Sequence, residues 1–281
     1  MAKKRKDTEK EMTFWEHLEE LRWHIVRSIA AIAIFAIIAF ISKDFIFNQI
    51  ILAPKSGDFI THRGLCHIGR WLERHVAFIS SSAFCLSDFN LKIINIKLAG
   101  QFLMHFYISF FVGLIVAIPF VIREIWSFIK PALYENEKKY TGGAVLWSSM
   151  LFIAGVLFSY FLIVPITILF LGTYNVSDYV ENQIALNSYI NTVVMLSFSV
   201  GLIFELPVFI YFLTKVGIIT PAFMRKNRKI MIVVILIIAA IITPPDVFSQ
   251  ILIAIPLFGL YELSILISDR VFKKREKEIS T

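Results

Sequence analysis

Three kinds of side chain in this sequence could do chemistry. The first are carboxylates set among aromatic and basic residues. Glu16, Glu19 and Glu20 fall in Thr13-Phe-Trp-Glu-His-Leu-Glu-Glu-Leu-Arg22. Glu135 and Glu137 close Phe120-Val-Ile-Arg-Glu-Ile-Trp-Ser-Phe-Ile-Lys-Pro-Ala-Leu-Tyr-Glu-Asn-Glu137. A planar guanidinium would find bidentate carboxylates in the second stretch, with Trp126, Phe128 and Tyr134 to stack on. The first offers an acidic surface for a basic ligand. Both also read more plainly, as a charged interfacial helix and a solvated loop. The second kind is polar groups inside apolar runs: Glu205 in Val200-Gly-Leu-Ile-Phe-Glu-Leu-Pro-Val208, then Gln250 and Glu262. An acid at the centre of a bilayer costs ~2.5–3.5 kcal/mol, so Glu205 must face protein or water. It is either a functional carboxyl or one satisfied by a neighbouring hydroxyl. The third kind is the group His62, Cys66, His67, His75 and Cys85. No CxxC or HxxxH spacing supports zinc there, and a Cys66–Cys85 disulfide is expected instead. Nucleotide-binding, serine-hydrolase and metalloprotease motifs are all missing, so no enzyme, cofactor or metal site is expected.

The elements that must position these groups are membrane helices. Of the 281 residues 57% are apolar and 17% charged, with a mean hydropathy of +0.72. Soluble domains sit near about 45–50% and 25%, so an ordinary water-soluble globule is excluded. Apolar runs cover 25–41, 102–122, 144–171, 189–213, 230–243 and 251–267. Backbone in lipid must satisfy its own hydrogen bonds, so each run is read as a helix. The expected fold is an all-α integral membrane protein with six spans. The last two are short: the 14 residues of 230–243 reach about 21 Å against a hydrocarbon core of ~30 Å. Such a pair is lengthened by its neighbours, packed inside the bundle, or thins the bilayer locally.

Orientation follows from the basic residues. Lys and Arg crowd the N-terminal tail, the 2–3 and 4–5 connections and the C-terminal tail, and are missing from 172–188 and from the 5–6 turn. Both termini are therefore expected in the cytoplasm. The net charge of +7 sets topology and does not call for a nucleic-acid partner. Residues 1–281 form one polytopic domain. It comprises a retained cytoplasmic tail with an amphipathic helix (1–24), a long outer loop (43–100) and a basic cytoplasmic tail (269–281). Thr13 and Glu16 form a capping box at the start of the first helix. Asp246, in the turn Pro244-Pro-Asp246, suits the N-cap of the sixth.

These motifs, in this order, resemble the TatC family, the polytopic core of the twin-arginine protein translocase. The residues that carry the likeness are His17-Leu-Glu-Glu-Leu-Arg22, Ala53-Pro54, Trp126-Ser-Phe-Ile-Lys-Pro-Ala-Leu-Tyr-Glu-Asn-Glu137, Phe204-Glu-Leu-Pro207 and Thr243-Pro-Pro-Asp-Val-Phe-Ser-Gln250. The resemblance implies a concave helical bundle in the bacterial cytoplasmic membrane. It implies a receptor for the twin-arginine signal peptides of folded precursors, exported at the expense of the proton-motive force. The implied partners are TatA- and TatB-type single-span subunits, with self-association. By motif position Glu20 and Glu137 would receive the two signal-peptide arginines, and Arg22 and Phe128 would shape that surface. Glu205, Asp246, Gln250 and Glu262 would be polar points for partner helices, and Pro54 a structural turn. The loop 42–100 is longer than expected for the family. A rival reading is a secondary transporter or ion channel with Glu205 as its proton or cation site; no internal repeat supports it.

Overall fold

The computed structural model describes residues 14–75, 91–129, 141–177, 179, 182–243 and 246–280. Thr13, Cys85 and Glu137, to which the sequence assigns roles, lie outside them. The first apolar run grows into α1, Phe14–Ile41. A second long helix, which packs antiparallel to it, is Gly100–Ile129. Three contacts spaced along their length join the pair. Near the C-terminal end of α1 the His105 imidazole donates through Nε2 to the Phe40 carbonyl at 3.0 Å, stacked on the Phe40 ring. Midway the helices touch backbone to backbone, since a Cβ on Gly113 would lie 2.5 Å from the Ala36 nitrogen. Towards the N-terminal end of α1, His24 and Arg27 meet Glu124.

After α1 the chain turns through Lys43–Phe45 and a π-helical segment, Ile46–Ile51. The irregular winding frees carbonyls, and tyrosine hydroxyls take them. Tyr160 donates to Ile50 at 2.7 Å and Tyr189 to Ile51 at 2.9 Å. Pro54 is buried in the 3-10 turn Ala53–Lys55, as a structural turn requires. Its carbonyl accepts from His62 Nε2 at 3.2 Å. Burial holds that imidazole below the usual histidine range, with the Pro54 bond opposing. His62 and Cys66 belong to α2, Ile60–His75, and the Gly100–Ile129 helix is α3. A departure from an all-α fold occurs here: β1, Ile93–Ile94, pairs in parallel with β2, Ile184–Ala185. This two-residue ladder ties the long loop to the connection after the third span.

The third span is α4, Thr141–Phe158, a π-helical turn Ser159–Ile163, and α5, Val164–Thr173. Pro165 cannot donate to the Phe161 carbonyl four residues back, and the Thr61 hydroxyl of α2 donates to it instead. The fourth span is α6, Leu186–Ile203, and α7, Leu206–Val216, broken at Phe204-Glu205 ahead of Pro207. Gly217 ends α7 at φ +91°, the left-handed region open to glycine. The Arg275 guanidinium lies where a side chain would stand, a cation at a helix C-terminus. A short α8, Pro221–Lys226, leads to α9, Arg228–Ile242, and then α10, Val247–Ser280. The core is mainly aliphatic, with Ile108, Ile163, Ile190, Leu196 and Ile253 fully enclosed beside the Phe152 ring.

Among the described residues five helical segments are long and apolar enough to cross a membrane: Leu18–Ile41, Gly100–Ile129, Gly143–Thr173, Leu186–Val216 and Val247–Glu276. The 15 residues of α9 extend only about 22 Å. The last helix is not short, because α10 is 34 residues long and continues past its apolar stretch. Asp269 holds it there, 3.0 Å from Arg225 and 2.8 Å from Lys273. Likewise the expected loop after Ile122 starts later, since α3 continues to Ile129.

The close approach at Gly113 makes a specific demand. Gly113→Ala must push α1 off α3 and should cost about 1–3 kcal/mol, read as a lower thermal unfolding midpoint in detergent. Gly143→Ala, which meets open space, should change stability by less than about 0.5 kcal/mol. An unaltered midpoint for the first variant would contradict the packing.

Candidate functional site

Helical spacing brings Glu20, His24 and Arg27 to one face of α1, at i, i+4 and i+7. That face meets Glu124 and Phe128 of α3, also four apart. The His24 side chain is only 8% exposed, so its ring must be satisfied by protein. Its Nδ1 lies 2.5 Å from Glu124 Oε2 and 2.9 Å from Arg27 Nη2. One ring nitrogen cannot serve both. A carboxylate at that distance requires an N–H, so Nδ1 donates to Glu124. Arg27 donates through Nε to the same Glu124 oxygen at 3.0 Å. With Nδ1 committed, Nε2 faces Glu20 Oε1 at 4.0 Å. The Phe128 ring meets the imidazole edge-on, centroids 6.1 Å apart.

Glu20 and Phe128 are thus brought together, with His24 between them. The Glu20 side chain is 36% exposed, yet its Oε2 is enclosed and has no hydrogen-bond partner among the described residues. Arg22 stands elsewhere. Two residues from Glu20, it projects from another face of α1, 68% exposed, 4.0 Å from Glu19 and over the Trp23 ring. Sequence reasoning passes over His24, Arg27 and Glu124. The available signal is the pair of i, i+4 spacings, 20 to 24 and 124 to 128, which align polar groups on two helices.

The polar groups inside the apolar runs do not form one cluster; each has its own setting. Glu205, 7% exposed, occupies the break between α6 and α7. Its backbone carbonyl accepts from Val208 and Phe209, and its carboxyl lies near the Ser148 hydroxyl of α4. A neighbouring hydroxyl is what the sequence allows for, although Oε1 lacks a partner among the described residues. Asp246 caps α10, accepting from the Ser249 N–H at 2.6 Å. Gln250 donates from Nε2 to the Leu236 carbonyl at 3.0 Å, bridging α10 and α9. Glu262 pairs with Arg228 at 2.7 Å, at the other end of the same two helices.

A bundle of long apolar helices with a carboxylate-and-aromatic cluster at one end of its first helix pair is the frame of a polytopic membrane protein. Comparison with known proteins narrows this. The family model of the Sec-independent protein translocase protein TatC matches residues 16–256. The TatC protein of Blattabacterium sp. subsp. Periplaneta americana (strain BPLAN) is 41% identical over 270 residues, 96% of this chain and 100% of the relative. TatCy of Bacillus subtilis (strain 168) is 30% identical, covering 95% and 92%. A crystal structure of the twin-arginine translocase receptor TatC superposes with a TM-score of 0.70 at 32% identity, covering 91% of this chain and 99% of that one. The chain belongs to the TatC family of Sec-independent protein translocase proteins.

Proposed function

We propose that this protein is the receptor and core subunit through which a bacterium exports folded precursors. It binds their twin-arginine signal peptides at the cytoplasmic end of α1 and α3, and the proton-motive force drives transport. The observation that carries the reading is Glu20: a carboxylate 36% exposed, one oxygen of which has no hydrogen-bond partner among the described residues, with the His24 ring between it and the Phe128 ring. An unsatisfied carboxylate oxygen is costly. An incoming guanidinium supplies two parallel N–H donors to it and a planar face for the ring. Glu137 receives the second arginine in this reading.

Charge distribution supports six crossings of the inner membrane with both termini cytoplasmic, the short α9 being the fifth. Val247, Ile251 and Ile255, one turn apart on α10, are 70%, 50% and 68% exposed. With Gln250 bridging behind them, they make an edge suited to the transmembrane helix of a single-span TatA- or TatB-type subunit.

Two experiments test this. Glu20→Ala with Glu137→Ala should weaken binding of an arginine-pair peptide at least about tenfold, the loss of charge-assisted hydrogen bonds, with protein levels normal. A lysine-pair control should bind poorly throughout. Undiminished arginine-pair binding would overturn the site. A photo-crosslinker at Val247 or Ile251 should capture a single-span partner in native membranes; failure to capture any would remove the docking edge.

A further inference from the structure

The chain's own arginine poses a problem for a site that must take arginine from outside. Arg27 lies seven residues from Glu20, nearly on the same helical face and about 10.5 Å along the axis. Two long flexible side chains can close much of that span, and a Glu20–Arg27 pair would consume the receptor carboxylate. In the structure this pair does not form. Arg27 is turned to Glu124, 3.0 Å from Nε to Oε2. The buried His24 ring stands in the intervening turn, its Nδ1–H given to the same Glu124 oxygen at 2.5 Å. The Glu124 side chain is 22% exposed against 36% for Glu20, so the better-shielded carboxylate is the one that holds the guanidinium.

We infer that Glu124 is a positioning residue that sequesters Arg27 and locks His24 as a partition, leaving the Glu20 carboxylate open to an external guanidinium. This rests on the proposed role of Glu20 and adds a specific device to it. The device is electrostatic. Glu124 does not touch the ligand; it removes an internal competitor for the same carboxylate. Loss of Glu124 frees Arg27 to turn towards Glu20, where it competes at the effective concentration of a tethered group. The charges facing this contact are Glu20 and Arg27 from α1 and Glu124 from α3, and the partition is the His24 ring with the edge of Phe128.

The test is equilibrium binding of a fluorescent arginine-pair peptide to the purified full-length chain in nanodiscs. Glu124→Gln keeps an acceptor for the His24 N–H but drops the charge that holds Arg27. It should weaken binding about fivefold, the scale of a partly exposed ion pair. Adding Arg27→Gln to Glu124→Gln removes the competitor and should recover affinity to within about twofold of the unaltered chain. A merely structural role for Glu124 predicts the opposite, a double variant as weak as Glu124→Gln or weaker, and that result would overturn the inference. So would Glu124→Gln binding as tightly as the unaltered chain. Glu20→Ala, measured alongside, separates the two levels. If it binds normally, the proposed arginine site itself fails; if it binds weakly while the Arg27 rescue is missing, only the sequestering role fails.

Discussion

The attachment of α1 to α3 is the constraint on which the rest depends. Between helices in a bilayer there is no hydrophobic driving force, since lipid tails are as apolar as the side chains they would replace. Association must come from close backbone packing and from polar contacts. The α1–α3 pair uses both: Gly113 against Ala36 in the middle, His105 on the Phe40 carbonyl at one end, and Glu124 with His24 and Arg27 at the other. Most of α1 otherwise faces outward, with Ile29, Ile34, Ile37 and Ile41 well exposed. These few contacts therefore determine where Glu20 stands.

The same rule, that a backbone polar group away from water must be answered, accounts for the irregular helices. Two of the breaks are met by side chains from elsewhere in the chain. Thr61 answers the carbonyl that Pro165 leaves, and Tyr160 and Tyr189 answer those of the π-helical turn. In this way the long outer loop is stitched to the third and fourth spans. Pro207 produces the break that turns Glu205 inward to Ser148, so a helix fault and a buried acid are one feature. The short α9 is tied to α10 at its middle, through Gln250 to the Leu236 carbonyl, and at its first residue, through Arg228 to Glu262.

Much of this was legible in the sequence. Apolar runs gave the helices because their composition leaves no other way to satisfy backbone in lipid, and Asp246 was readable as a cap because capping is local chemistry. The positions of Glu20 and Phe128 could be named from motifs, as could the burial of Glu205 from its cost. What escaped reading was tertiary. Nothing local reveals that His24 and Glu124, a hundred residues apart, share a hydrogen bond, or that Arg22 turns from the face that Glu20 occupies. Composition marks 269–281 only as a basic cytoplasmic tail; that α10 continues through it, with ion pairs to Asp269 and the Arg275 contact at Gly217, is set by tertiary contacts. The parallel ladder of β1 and β2 is too short to leave a period.

The most direct measurement is a double-mutant cycle on His24→Ala and Glu124→Ala, read by thermal or denaturant unfolding of the full chain in detergent. If the buried polar contact fastens α1 to α3, the two losses are strongly non-additive. A coupling of about 1–3 kcal/mol is expected, in the range of hydrogen bonds to charged groups. Losses that add to within about 0.3–0.5 kcal/mol would show that the two residues act independently, and would contradict the account.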